Sequence, residues 1–281
     1  AALEVAQDRL AEKQFFNNLG IPTAPCMAVD DRAMLDEAVD RLGFPAILKT
    51  RRLGYDGKGQ VVLHDITSLD SAWRQLGGQP LIVEGFVPFE REVSILAARG
   101  RDGAIVCYPL IENVHRNGIL WRSIAPAPGL TAELQAQAEQ HARKALEALE
   151  YVGVLAIELF EVRVAGTATT ALIVNEMAPR VHNSGHWTIE GAATSQFENH
   201  LRAVCGLPLG SAVPRGHAAM VNIIGDFPDI PSLLALEETH VHLYDKAPRP
   251  GRKIGHVTVR GDTSAELASR LECVERLIGS S

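Results

Sequence analysis

The chain has no surplus of positive charge, no closely spaced cysteine pair and no long apolar run, and each absence removes a class of function. Its 281 residues carry 27 Lys and Arg against 34 Asp and Glu, a formal net charge of −7. With no basic stripe to neutralise phosphates, nucleic acid is not the expected partner. Local basic points at Arg51-Arg52 and at Arg249, Arg252 and Lys253 suit a small anionic ligand instead. Cys26, Cys107, Cys205 and Cys273 are scattered without a CxxC pair, as expected of buried, reduced thiols in a cytoplasmic protein. No apolar run approaches the ~18 residues that span a bilayer. The N-terminal segment is acidic and amphipathic, unlike a signal peptide. There is no internal repeat and no low-complexity tract. What is present, 46% apolar residues, suffices for one large domain or two modest ones with a real core. These features predict a cytoplasmic protein acting on small molecules, with no nucleic acid and no membrane as partner.

Periodicity predicts an amphipathic helix over residues 3–19, stopped by Gly20-Ile21-Pro22, and a second over 31–42 with Asp30 or Asp31 as its cap and Gly43 as its stop. Strands are expected at 46–49, 60–63 and 81–84, with a helix near 67–76. From Glu90 onward the β segments lengthen, at 91–98, 104–107, 119–124, 154–163, 171–176, 217–224, 240–244 and 254–260, with helices at 131–150 and 189–204. Hairpins mixed with single helices favour an α+β chain with a largely antiparallel second lobe over a doubly wound sheet. Residues 226–231 and 246–251 read as loops.

The strand Ala171–Val174 runs into Asn175-Glu176-Met177-Ala178-Pro179-Arg180-Val181-His182-Asn183-Ser184-Gly185-His186-Trp187, and the strand Val154–Ile157 ends in Glu158. Mg²⁺ is commonly held by one or two carboxylates plus substrate phosphates, which Glu158 and Glu176 could supply; two strand-end acids facing water is the plainer alternative. Gly54-Tyr55-Asp56-Gly57-Lys58-Gly59-Gln60 lies between two strands, where glycine lets backbone N–H groups approach phosphate oxygens. It lacks the Walker spacing and no helix follows, so a glycine-rich hairpin tip is the alternative. Lys49, ending the preceding strand, could reach the same phosphates. Glu84-Gly85-Phe86-Val87, where a strand becomes a linker, could pair its backbone with an adenine edge or be an ordinary crossover. Glu92 could accept ribose hydroxyls or face solvent. His182 and His186 have HxxxH spacing, but Pro179 and Gly185 oppose a helix there, which excludes a helical zinc pair. Arg249, Arg252 and Lys253 sit on a Pro- and Gly-restricted turn, either a preorganised anion site or a solvated loop.

Taken together, ILKTRRLGYDGKGQ, IVEGFVPFEREVS, YPLIENVH, IELF, NEMAPRVHNSGHWTIEGAATSQFE and RPGRKIGHV resemble the N5-carboxyaminoimidazole ribonucleotide synthase branch of the ATP-grasp family, from about residue 7 to beyond 260. The string APRVHNSGHW separates this branch from other ATP-grasp ligases. The resemblance implies an ATP-grasp fold of two α+β lobes followed by a small β-rich domain, divided as a linker helix 1–20, a small lobe 21–88, a large lobe 89–210 and a C-terminal domain 211–281. It implies ATP-dependent carboxylation of 5-aminoimidazole ribonucleotide by bicarbonate, with ATP and Mg²⁺ as cofactors, and it allows a homodimer.

The resemblance also implies residue roles. Arg9, Lys49, Gly54, Tyr55, Asp56, Gly57, Lys58, Gly59 and Gln60 would serve the ATP phosphates, the last seven as a lid. Glu84, Gly85, Phe86 and Val87 would line the adenine, with Glu92 and His115 on the ribose side. Asn175 would assist Glu158 and Glu176 at the metal. Tyr55, Asp56 and Arg252 would bind the aminoimidazole ribonucleotide, and Lys58, Arg180, His182 and Lys253 would act at the reacting groups. The family opens on a Rossmann-like domain, whereas this sequence is expected to start within the linker helix carrying Arg9. A Mg·ATP-binding fragment without turnover is therefore the second expectation, and another ATP-grasp ligase the third.

Overall fold

A computed structural model of the chain describes residues 2–54, 57–167 and 169–279. The single helix expected over 3–19 is two, α1 (Ala2–Ala6) and α2 (Arg9–Asn18). Asp8 makes the break: its carboxylate caps α2 by accepting the N–H groups of Leu10 and Ala11. A short acid competes with helix backbone more effectively at a cap than inside a turn. Arg51 and Arg52 also reach this carboxylate, at 2.8 and 3.2 Å, so the cations expected for an outside anion are engaged internally.

Next come β1 (Cys26–Val29), α3 (Arg32–Leu42), β2 (Ala46–Thr50), β3 (Gln60–Leu63), α4 (Leu69–Leu76) and β4 (Leu81–Gly85). Asp31 caps α3 through the Met34 N–H, and Gly43, at φ 76°, ends it. The strands form an antiparallel sheet in the order β1-β4-β2-β3. Leu35, Ala38 and Val39 of α3 and Leu69, Ala72 and Leu76 of α4 lie on one face of their helices, against Val29, Leu48, Leu63, Leu81 and Val83. Each buried Leu or Val among them contributes about 1.5–3 kcal/mol, which is what holds this lobe together. β1 was not expected from sequence: its four residues at the sheet edge are mostly half-buried and show no alternation.

The chain continues through β5 (Arg91–Arg99), β6 (Ile105–Cys107), β7 (Ile111–Arg116), β8 (Ile119–Ala125), α5 (Ala132–Ala148), β9 (Gly153–Arg163) and β10 (Thr170–Ala178). It ends with α6 (Thr188–Gly191), α7 (Gln196–Cys205), β11 (His217–Ile224), α8 (Ile230–Leu234), β12 (Thr239–Leu243), β13 (Lys253–Gly261) and α9 (Ser264–Gly279). Two compact units result. One comprises the chain through Arg91 with Ile157–Pro179; the other comprises Glu92–Ala156 and the chain from Arg180 onward. This cuts the chain differently from borders at 88 and 210, because β9 starts in the second unit and finishes in the first, where β10 lies beside it.

In the second unit the strands follow the order β5-β7-β8-β11-β13-β12, with β6 also on β5, and every one of these pairings is antiparallel. Leu267, Leu271 and Val274 of α9 and Leu233 of α8 pack on Ala219, Val221, Ile223, Ile254, Val257 and Val259. Sequence reading passed over β7 and α9, merged α6 and α7 into one helix over 189–204, and took the start of α8 for loop. The four cysteines form no disulfide; three are half-buried and Cys205 is exposed, where burial was expected. Among the described residues no helix is long and apolar enough to cross a membrane.

Candidate functional site

In the first unit a group of charges is buried where α2 meets the strands. Glu84, in the fully buried β4, is 3% exposed, and its Oε2 accepts from Lys49 Nζ at 3.0 Å and lies 3.3 Å from Lys13 Nζ. Lys13 also donates to the backbone oxygen of Asn175 at 2.8 Å. Burial acts to raise the Glu84 carboxyl, but the Lys49 and Lys13 charges outweigh it and hold the group below its ordinary range. Burial lowers Lys49, against the opposing pull of Glu84. Two ammonium groups thus share one carboxylate, and Glu84 Oε1 has no hydrogen-bond partner among the described residues. Such a surplus of buried positive charge suits an anion.

Arg9 organises the neighbouring segment. Its guanidinium donates to the backbone oxygens of Thr50 and Gly54, at 3.0 and 3.3 Å, and stands 3.8 Å from Glu176 Oε2. A Cβ at Gly54 would fall 2.8 Å from Arg9 Nη1 and 3.0 Å from Lys58 O, so a side chain there would displace the guanidinium from this position. The Thr50 N–H donates to Gly59 O at 2.8 Å, joining the end of β2 to the start of β3, and Gly57 and Gly59 stand at φ 75° and 71°. Lys58 and Gln60 are exposed there, and Tyr55 and Asp56 lie outside the described residues. Glu158 on β9 and Asn175 and Glu176 on β10 are half-buried. Where β4 ends, Gly85 and Phe86 spend their N–H groups on Pro25 O and Pro45 O, while the Phe86 ring is exposed and Val87 buried.

Glu12, next to Lys13, was missed by sequence reading. Its Oε1 accepts the Met177 N–H at 2.6 Å in nearly complete burial. Burial first, and then the Glu176 charge, push its carboxyl from 4.5 up to about 8. The native protein therefore keeps a proton that the unfolded chain releases above about pH 4.5, so stability falls as pH rises through the window up to about 8. Glu12→Gln is expected to flatten that fall in denaturant titrations at pH 5 and pH 8; an unchanged pH dependence would contradict the assignment.

The second unit holds the remaining candidates. Glu92 on β5 meets His115 on β7 through Oε2 and Nδ1. Past β10 the segment 179–187 has little regular structure and is held by buried amides. Gln196, fully buried, accepts the His182 N–H at 2.9 Å, donates to His182 O at 2.7 Å and meets His186 Nδ1 at 3.1 Å. Asn183 and Asn222 exchange amide hydrogen bonds at 3.0 and 2.7 Å. Arg180 is exposed and donates to Val181 O. His186 packs beside His256, which stacks on His242 at 4.5 Å and meets the Tyr244 hydroxyl at 2.7 Å. Burial, helped by the neighbouring His182 charge, lowers His186 to about 4, and burial lowers His256 to about 2, so both rings are neutral. Lys253 adds to the push on His186, which places Lys253, His182 and His186 in one electrostatic neighbourhood. Arg252 instead donates to Ala247 O, within its own turn.

Neither Lys13 nor Gln196 carries a sequence signal, since each gains its role from partners far away in the chain. Asn222 does carry one: it is a lone amide inside the apolar run of β11.

Residues 14–197 match the ATP-grasp domain, and residues 218–270 match the phosphoribosylaminoimidazole carboxylase C-terminal domain. The chain is 51% identical over 277 residues to the N5-carboxyaminoimidazole ribonucleotide synthase of Pseudomonas aeruginosa, covering 99% of this chain and 74% of that protein. The crystal structure of the corresponding synthetase from Thermus thermophilus superposes with a TM-score of 0.91 at 56% identity, covering 98% of this chain and 73% of that one. The synthase from Aspergillus clavatus in complex with ADP and 5-aminoimidazole ribonucleotide superposes with a TM-score of 0.90 at 30% identity, covering 99% and 74%. With both domain families matched in order and half of all positions identical to a curated synthase, this chain belongs to the N5-carboxyaminoimidazole ribonucleotide synthase family of ATP-dependent ligases.

Proposed function

We propose that this chain couples ATP cleavage to carboxylation of 5-aminoimidazole ribonucleotide by bicarbonate, forming N5-carboxyaminoimidazole ribonucleotide, ADP and phosphate for purine biosynthesis in the cytoplasm. The observation that carries this reading is the match along nearly the whole chain to synthases, one of them bound to ADP and 5-aminoimidazole ribonucleotide. Of the division into a linker helix 1–20, lobes 21–88 and 89–210, and a C-terminal domain 211–281, the border between 210 and 211 is supported by the gap between the two matched families, 197 to 218, and the other borders rest on the resemblance.

Arg9, Lys49 and the segment Gly54–Gln60 receive the ATP phosphates, Glu84–Val87 the adenine, and Glu92 with His115 the ribose. Glu158 and Glu176, with Asn175, fit Mg²⁺. Both are oxygen donors, and among the described residues no larger group of acids, His or Cys converges, which leaves the remaining positions to phosphate oxygens and water. When bound, the ion neutralises polyphosphate charge. A bicarbonate oxygen attacks the γ-phosphorus, the bond to ADP breaks, and carboxyphosphate results. Its carbonyl carbon then passes to the exocyclic amine, which loses a proton as phosphate departs. Lys58, Arg180, His182 and Lys253 steady the charges of these steps, and Arg252 with Tyr55 and Asp56 holds the ribonucleotide. Closure of the glycine-rich tip would keep water from the labile intermediate.

Oxygen-18 bicarbonate tests the route. With Mg·ATP and 5-aminoimidazole ribonucleotide, label is expected in the released phosphate as well as in the carboxylated product. Product without labelled phosphate would overturn the carboxyphosphate step, and phosphate release without any product would overturn the function. Lys253→Ala is expected to raise KM for 5-aminoimidazole ribonucleotide about tenfold or more, with KM for ATP little changed. An equal rise in both would contradict the separation of roles.

A further inference from the structure

Behind His182 in the second unit a chain of buried polar side chains runs across the sheet. Ser94 on β5 and Ser123 on β8 are fully buried, Asn113 on β7 is 5% exposed, and Ser184 is fully buried in the segment that carries His182. Ser123 Oγ donates to Asn113 Oδ1 at 2.8 Å, and Asn113 Nδ2 donates to Ser94 Oγ at 2.8 Å. Ser94 Oγ meets Ser184 Oγ at 2.9 Å, and Ser184 Oγ meets His182 Nδ1 at 2.9 Å.

A hydroxyl has one proton, so such a chain has a direction. Ser94 accepts from Asn113 and therefore gives its proton to Ser184. Ser184, having accepted, gives its own to His182 Nδ1. Reversing every link, with the Asn113 amide turned over, would satisfy the hydroxyls equally well and would put a proton on Nδ1. The backbone breaks the tie. The Ser184 N–H, which can only donate, also faces His182 Nδ1 at 3.4 Å. A proton on Nδ1 would oppose that N–H, so the direction ending in an acceptor nitrogen is the favoured one.

We propose that the chain Ser123–Asn113–Ser94–Ser184 locks His182 in the tautomer that carries its proton on Nε2, making these four side chains positioning residues for the carboxylation. The tautomer follows from the hydrogen bonds alone; its value to turnover rests on the assignment of His182 to the reacting groups. A neutral imidazole held this way offers a donor at one nitrogen and is blocked from offering one at the other. Burying four polar groups in a sheet core also demands that each be satisfied, which they are, and such a network fixes geometry more firmly than an isolated pair.

Nitrogen-15 NMR of His182 in the full chain, without substrates and at a pH where the ring is neutral, reads the tautomer directly. The expected spectrum has an unprotonated Nδ1 and a protonated Nε2; a proton on Nδ1 would overturn the proposal whether or not the chain is a carboxylase. Ser94→Ala, which leaves the His182 and Ser184 contact in place but removes the donor that orients it, is expected to bring a second tautomer into view. It should lower kcat about tenfold with KM for ATP unchanged. Ser184→Thr, which keeps the hydroxyl, should restore both readouts where Ser184→Ala loses them. Variants that keep the single tautomer, or that shift it with no change in kcat, would respectively overturn the lock and its role in turnover.

Discussion

Replacing Lys49 with Met is expected to lower ATP-dependent ADP formation about 100-fold or more while leaving the fold standing. Lys49 and Lys13 both approach one oxygen of Glu84, at 3.0 and 3.3 Å. Removing Lys49 leaves one buried ammonium against one carboxylate, which is a paired state, so the stability change should be modest. What disappears is the surplus positive charge that an incoming phosphate would meet. Glu84→Ala is the informative contrast: it leaves two buried ammonium groups without their carboxylate, a change of the kind that costs roughly 3–5 kcal/mol of stability. Denaturant melts and ADP assays on the two variants should therefore separate, Lys49→Met failing mainly in turnover and Glu84→Ala mainly in folding. If Lys49→Met kept near-normal ADP formation, the cluster would be a structural device and the phosphate assignment would fall.

Gly185→Ala should be nearly as damaging, for a steric reason. A Cβ at this position would fall 2.2 Å from Leu96 Cδ2 and 2.8 Å from Gln196 Cδ. Neither neighbour has room to yield: Leu96 and Gln196 are both fully buried, and Gln196 clamps the His182 peptide by its N–H and its carbonyl. The segment carrying Arg180 and His182 must shift instead. A displacement of about 1 Å at reacting groups costs on the order of 100-fold in rate, and overpacking adds about 1–3 kcal/mol of instability. Because the proposed phosphate residues belong to the other compact unit while Glu92 and His115 share this one, turnover should fall far more than ATP affinity measured by calorimetry. A variant with normal turnover would mean that the clamp around His182 has no catalytic consequence.

The parts legible in the sequence were those whose causes are local. The cap at Asp31, the stop at Gly43 and the i, i+3, i+4 stripe of α3 follow from residues within one helix. The strand that carries Glu176 announces itself by an apolar run, although it continues to Ala178. The same pattern failed where burial is decided at long range. Glu12 and Lys13 look like the solvated face of an amphipathic helix, yet their partners, Met177 N–H, Asn175 O and Glu84, come from β10 and β4. Asp8 breaks the first helix by capping α2, and Arg51 and Arg52 come from far along the chain to share its carboxylate. Ser94, Asn113 and Ser123 could have been noticed as polar residues inside strands, but nothing local says that they form one chain ending on His182. β7 was lost because its residues, Ile-Glu-Asn-Val-His-Arg, alternate too weakly, and α9 although Leu267, Leu271 and Val274 hold helical spacing.

Coupling of the two half-reactions is read from ADP release from Mg·ATP and bicarbonate, measured with and without 5-aminoimidazole ribonucleotide. ADP formation is expected to depend on the ribonucleotide and to be matched, one for one, by carboxylated product. ADP release indifferent to the ribonucleotide, or ATP binding with no turnover in its presence, would contradict a carboxylating synthase.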